Sequence, residues 1–143
     1  MPAATVVTGV EETRQLAGRT LGTSSWTTVA QEQVDRFIAA TGVSAPAGPA
    51  GPTVPGLLVL ALTTTCMPEL LECRGFALAV NYGCARVRFP AAVPVGSRVR
   101  CTATVDAVDD VPGGLQLAFT LVFEAEGEAE PACVASTLVR RYL

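Results

Sequence analysis

The fold turns on residues 55 to 72, PGLLVLALTTTCMPELLE. Leu57, Leu58, Val59, Leu60, Ala61 and Leu62 follow one another without a polar break, so a helix through them is apolar on every face and should be buried all round. The run is too short to cross a bilayer and meets Thr63, Thr64 and Thr65 at once, so the sequence argues against a membrane partner and burial has to come from protein. Pro55 suits a helix start, whereas Pro68 should loosen or kink the later part before Glu69 and Glu72 emerge toward solvent.

What encloses this rod lies downstream, where the hydrophobic period changes from 3.6 to two. Strands are expected over residues 76–82, 85–89, 98–108, 115–125 and 132–142. Leu115, Leu117, Phe119, Leu121 and Phe123 share one strand face, with Gln116, Thr120 and Glu124 on the other. Asp109 to Gly114 reads as the turn of a long antiparallel hairpin, and Gly127 with Pro131 brackets another. An all-apolar helix followed by a curling antiparallel sheet implies that the sheet wraps the helix, an α+β arrangement in one domain over residues 1–143. The exposed edges of such a sheet favour pairing with a second one, in a homodimer or a related heterodimer.

Upstream the signals are weaker. Residues 1–15 show little periodicity and are expected to be loosely held. Thr28 and Gln31 have capping-box spacing, and Val34, Phe37, Ile38 and Thr41 recur at helical intervals up to Gly42, which predicts a helix over residues 29–41. An extended segment containing Trp26 precedes it. Four prolines and four glycines between residues 42 and 56 then deny a regular helix and make a connection.

Composition removes several functions. With 16% charged residues and a net charge of −3, the chain has no basic field for nucleic acid. Five scattered cysteines in apolar surroundings suit reduced core thiols in a cytoplasmic protein better than a disulfide framework. No histidine and no CxxC pair is present, so no metal site is expected.

Four stretches in order, SWTTVAQEQVDRFIAATG (25–42), TVPGLLVLAL (53–62), NYGCARVRFPAAVPVGSRVR (81–100) and PACVASTLVRRY (131–142), make the chain similar to the MaoC-like branch of the hot-dog family. That branch includes (R)-specific enoyl-CoA hydratases and acyl-thioester dehydratases. The resemblance implies a dimer of hot-dog domains, a substrate tunnel beside the central helix and chemistry without a cofactor. It also implies an aspartate just after the Thr-Gly that ends the first helix and a histidine five residues on. Val43 stands at the aspartate's place, the histidine is absent, positions before Thr53 look deleted, and Pro55 occupies the place of a further histidine. Adding or removing water at a β-carbon needs an acid/base pair, and losing one partner typically forfeits about 10²–10⁴ in rate. Ordinary hydratase activity by this chain alone is therefore not expected.

Several residues remain candidates for chemistry. The first amides of the helix, at Gly56 and Leu57, lack internal acceptors and could hold a thioester carbonyl, although Gly56 equally suits tight helix–sheet contact. Asn81 could orient a carbonyl and Tyr82 could act as an acid if its pKa fell; strand-end packing is the plainer alternative for both. Thr63 and Cys66 could line a pocket beside Val43 and Pro55, but at most one or two of the three threonines can face a cavity while others bond back to helical carbonyls. Neither histidine nor lysine exists to activate Cys66. Arg86 and Arg88, or Arg98 and Arg100, suit the phosphates of coenzyme A or a phosphopantetheine arm, against the ordinary case of a solvated sheet face.

The favoured function is a non-standard enzyme acting by positioning and electrostatics on an acyl-CoA, a carrier-protein-bound acyl group or a polyketide-like molecule. Cyclisation, isomerisation and atypical dehydration fit. A catalytically silent hot-dog subunit supporting an active partner, and a non-catalytic acyl or carrier-binding protein, are the alternatives.

Overall fold

A computed structural model describes residues 2–143. The elements in chain order are β1 (Thr5–Thr8), α1 (Gly9–Arg14), β2 (Thr20–Thr23), β3 (Thr27–Thr28), α2 (Gln31–Thr41), β4 (Ala47–Gly48), β5 (Gly51–Pro52), α3 (Gly56–Ala61), α4 (Thr63–Leu70), β6 (Leu71–Arg74), β7 (Leu78–Arg88), β8 (Arg98–Val111), β9 (Gly114–Ala125) and β10 (Cys133–Tyr142).

Period-two sequence builds the main sheet, in the order β2-β8-β9-β10-β7, with β3 also on β8 and every pairing antiparallel. One face of β9 is closed to solvent at each of Leu115, Leu117, Phe119, Leu121, Phe123 and Ala125. Val99, Cys101, Ala103 and Val105 of β8 continue that face, as do Cys133 and Ala135 of β10. Against it pack Leu58, Val59, Leu62, Cys66 and Leu70 of the two central helical segments, α3 lying on β10 and α4 on β8. Each such large side chain contributes about 1.5–3 kcal/mol by leaving water. This is the hot-dog architecture, an α+β fold with its sheet around a central helix.

The hairpin joining β8 and β9 is tighter than the Asp109–Gly114 turn expected. Strand pairing persists to Val111 opposite Gly114, leaving Pro112 and Gly113 as the bend, with Gly113 at φ +82° where a side chain would be strained. Gly114 is fixed for another reason: a Cβ there would sit 1.9 Å from the Arg141 carbonyl oxygen.

Elsewhere the chain departs from its local signals. Residues 1–15, expected to be loosely held, contain β1, which pairs in parallel with β6, and α1, and they bury Val7 and Thr13; Met1 lies outside the described residues. Helix α2 begins at Gln31, with Ala30 at its N-cap and no side-chain cap, because Thr28 is committed to β3 opposite Arg98. Its end is as read: Gly42 adopts φ 72° and donates to the Ile38 carbonyl oxygen. The proline-rich connection closes into the β4–β5 hairpin and is tied to the stretch after β7, where Val54 N donates to Val93 O at 2.7 Å and Val95 N to Pro52 O at 3.1 Å.

The central helix differs from expectation in two ways. Its interruption falls at Leu62 rather than at Pro68, which sits inside α4. The hydroxyls of Thr63, Thr64 and Thr65 donate back to the carbonyls of Leu60, Ala61 and Leu62 at 2.6, 2.8 and 2.9 Å, competing with the helical ladder just where it breaks. Nor is the helix buried all round, since Leu57 is 62% exposed and Ala61, Thr64 and Pro68 lie open along the same flank. Past Leu70 the chain enters β6, so Glu72 belongs to a strand, while Glu69 turns inward and accepts the Ser25 amide at 2.8 Å.

Candidate functional site

Two recesses flank the central helix. The larger, about 560 Å³, lies between its open flank and the core-facing side of β7 and β10. Leu60, Thr63, Thr64 and Met67 form the helical wall. Asn81 and Cys84 of β7 face them, with Thr137, Val139 and Arg141 of β10 alongside. Strand register explains the second wall: Asn81 pairs with Val139 and Cys84 with Thr137, which in turn oppose Leu117 and Phe119, so all share the face that elsewhere packs the core. The smaller recess, about 170 Å³, sits at the helix start between Gly56, Val59, Phe89, Val93 and Ala132.

The helix start is chemically spare. Pro55 is buried at the N-cap, and its carbonyl accepts from the Leu58 amide at 3.0 Å and the Val59 amide at 3.2 Å. Among the described residues the amides of Gly56 and Leu57 have no acceptor, as the first turn of a helix leaves them. Gly56 lies directly beneath the Phe89 ring, which a Cβ there would meet at 2.9 Å. No ionisable side chain lines the smaller recess.

The remaining sequence candidates scatter. Thr63 and Asn81 come together in the larger recess, whereas Val43, 43% exposed at the end of α2, lines neither. Asn81 and its neighbour Tyr82 are divided by strand alternation; the Tyr82 ring lies 3.5 Å under the Arg140 guanidinium carbon, and Arg140 bonds Gln116 on the solvent side. Arg86 and Arg88 pair with Ser136 and Val134 on that outer face and are exposed. Arg98 and Arg100 are engaged by Glu126 and Glu124, and both lie over Trp26, so neither is free for a phosphate.

The cysteines divide by depth. Cys66 is 1% exposed in the core, where burial pushes its thiol up despite lowering contributions from the Ser24 and Thr65 hydroxyls. Burial likewise raises Cys133 to about 11 and Cys101 to about 12, the latter helped by the nearby Cys66 and Cys133. Cys73 is half-buried and Cys84 exposed, and all five are free. Among the described residues no group of three or more potential metal ligands assembles, and no helix is long and apolar enough to cross a membrane.

Sequence reasoning passed over Arg141, the one charged side chain in the larger recess. The signal was available, since alternation through Cys133, Ala135, Thr137 and Val139 carries the core face on to position 141.

No family model matches the chain. It is 43% identical over 135 residues to 3-hydroxyacyl-thioester dehydratase Z of Mycobacterium tuberculosis, covering 87% of this chain and 89% of that protein. Among solved structures it superposes on the HadBC (3R-hydroxyacyl-ACP dehydratase) complex of M. tuberculosis with a TM-score of 0.71 at 17% identity, over 87% of this chain and 96% of that one. On the MaoC-like dehydratase of Rhodospirillum rubrum the TM-score is 0.66 at 14% identity, over 88% and 92% of the two chains.

Proposed function

We propose, from the premise that the chain belongs to the MaoC-like hot-dog dehydratase family, that it is the binding half of a two-subunit acyl-thioester dehydratase. In this reading the helix start polarises the thioester carbonyl through the Gly56 and Leu57 amides, and a partner hot-dog subunit brings the groups that move the proton and the water. The observation that carries it is the contrast at the helix start: two amides without acceptors beside a recess with no ionisable side chain. The outer edge of β7 supplies the place for the partner, being unpaired in the sheet and bearing exposed Leu78 and Tyr82. The relation to dehydratase Z, and the two-subunit HadBC complex among similar folds, support it.

The test is hydration of crotonyl-CoA by the purified chain alone and together with a MaoC-like subunit carrying the aspartate and histidine. Alone, the rate should be about 10²–10⁴ below that of the pair. Gly56→Val, which drives a side chain against Phe89, should lower the rate of the pair without dissociating it. Fast, stereospecific hydration by the chain alone overturns the reading.

The same two amides favour a second reading, in which the chain acts unaided on a polyketide-like thioester by cyclisation or isomerisation, the acidic α-proton between two carbonyls passing to solvent water while the amides hold the enolate left behind. Product of unchanged mass from the chain alone selects this reading; loss of water only in the presence of the partner selects the first. A carrier-binding protein without turnover would bind an acyl-phosphopantetheine and release it unaltered.

A further inference from the structure

Arg141 is the arginine that the fold draws inside without a partner. All ten basic residues of the chain are arginines. Arg14, Arg36, Arg74, Arg98 and Arg100 are paired with carboxylates, and Arg140 is held by Gln116 and the Tyr82 ring. Arg19, Arg86 and Arg88 are exposed to water. Arg141 is partly buried with neither an ion pair nor a side-chain hydrogen bond among the described residues, and its Nε is fully buried without an acceptor. A guanidinium N–H shut away from water costs free energy unless an acceptor reaches it, and a carboxylate does so with the strongest geometry.

Its surroundings define the rest of the ligand. Arg141 lies in the recess of about 560 Å³, within the size range of small-molecule sites, whose lining includes the apolar Leu60, Met67, Leu71 and Val139 and the uncharged polar Thr63 and Asn81. Largely apolar walls with a single cationic side chain are the complement of an amphiphile. We infer that this recess binds an aliphatic chain ending in a carboxylate, with the carboxylate on Arg141 and the methylenes along the open flank of the central helix. Such a carboxylate occurs on a free fatty acid and at the far end of a dicarboxylic acyl thioester. The inference does not depend on turnover, and its test reads binding alone.

The probes are decanoate, methyl decanoate and the mono-CoA thioester of decanedioic acid, titrated by calorimetry into the wild-type protein as purified. Decanoate should bind roughly tenfold or more tighter than its methyl ester, as expected for one charge-assisted hydrogen-bonding site. Arg141→Gln should collapse that difference while leaving the weak binding of the ester. Bound decanoate should slow alkylation of Cys84, which lines the same recess. Binding of the decanedioyl thioester with the same dependence on Arg141 assigns the carboxylate to the thioester class; its failure beside tight decanoate assigns it to free fatty acids. Equal affinity for decanoate and its ester in the wild-type protein overturns the inference without any variant. Absence of binding, together with loss of subunit association in Arg141→Gln, overturns it too by giving the guanidinium to a carboxylate of another subunit.

Discussion

Both flanks of the central helix carry apolar residues, and their surroundings are opposite. Leu58, Leu62, Cys66 and Leu70, four residues apart, are at most 7% exposed against the sheet. Leu57, Ala61, Thr64 and Pro68, three or four residues apart, form the neighbouring flank and stay open. A helix only has to satisfy its own fold on one flank, so apolar residues on the second point to something that comes later, an acyl chain or another subunit. Strands repeat the contrast: β9 alternates buried and half-buried positions throughout, whereas β7, at the edge of the same sheet, is exposed along most of its length.

Truncation on each flank is the sharpest way to break this comparison. Leu62→Ala should cost about 2–5 kcal/mol of stability, the range for emptying a closed core site. Leu57→Ala should change it by less than about 0.5 kcal/mol, as exposed substitutions do. Urea midpoints at unchanged m-value measure both. Comparable losses at the two positions would mean that the open flank is already covered in solution.

A chemical probe divides the flanks next. At mildly alkaline pH, iodoacetamide should label Cys84 on the recess side and spare Cys66, Cys101 and Cys133, whose raised thiol pKa values leave little thiolate and whose burial blocks access. Mass spectrometry of tryptic peptides gives the ratio. All three should react once urea unfolds the chain, and labelling of Cys101 in native buffer would contradict the enclosure of the core.

The part of this organisation that was legible in the sequence is the part with local cause. Leu115 to Phe123 alternate because one strand face is core, and the αL glycine ending α2 was visible as Gly42. The β1–β6 pair was not, because it joins Thr5 to Leu71 and each strand is only four residues long. The capping box failed because Thr28 is claimed by a strand from far along the chain. Burial of the helix on every side was over-read for a different reason: apolar sequence states what will be covered, and leaves open whether the same chain covers it. At the candidate site, Gly56 and Thr63 could be named from helix geometry, whereas Arg141 could be found only by carrying the alternation of β10 to its end.

The smallest expected effect tests how the open flank is stabilised. Thr64 is exposed, and its hydroxyl spends its hydrogen bond on the Ala61 carbonyl, 2.8 Å away, beside the interruption at Leu62. Packing does not decide this position, so intrinsic propensity should, and alanine is better than threonine in a helix by up to about 0.7 kcal/mol. Thr64→Ala should therefore stabilise the protein slightly, seen as a small upward shift of the urea midpoint. A clear loss instead would mean that the back-bonded threonine holds the junction between α3 and α4, and that this flank is shaped by its hydroxyls as much as by what later covers it.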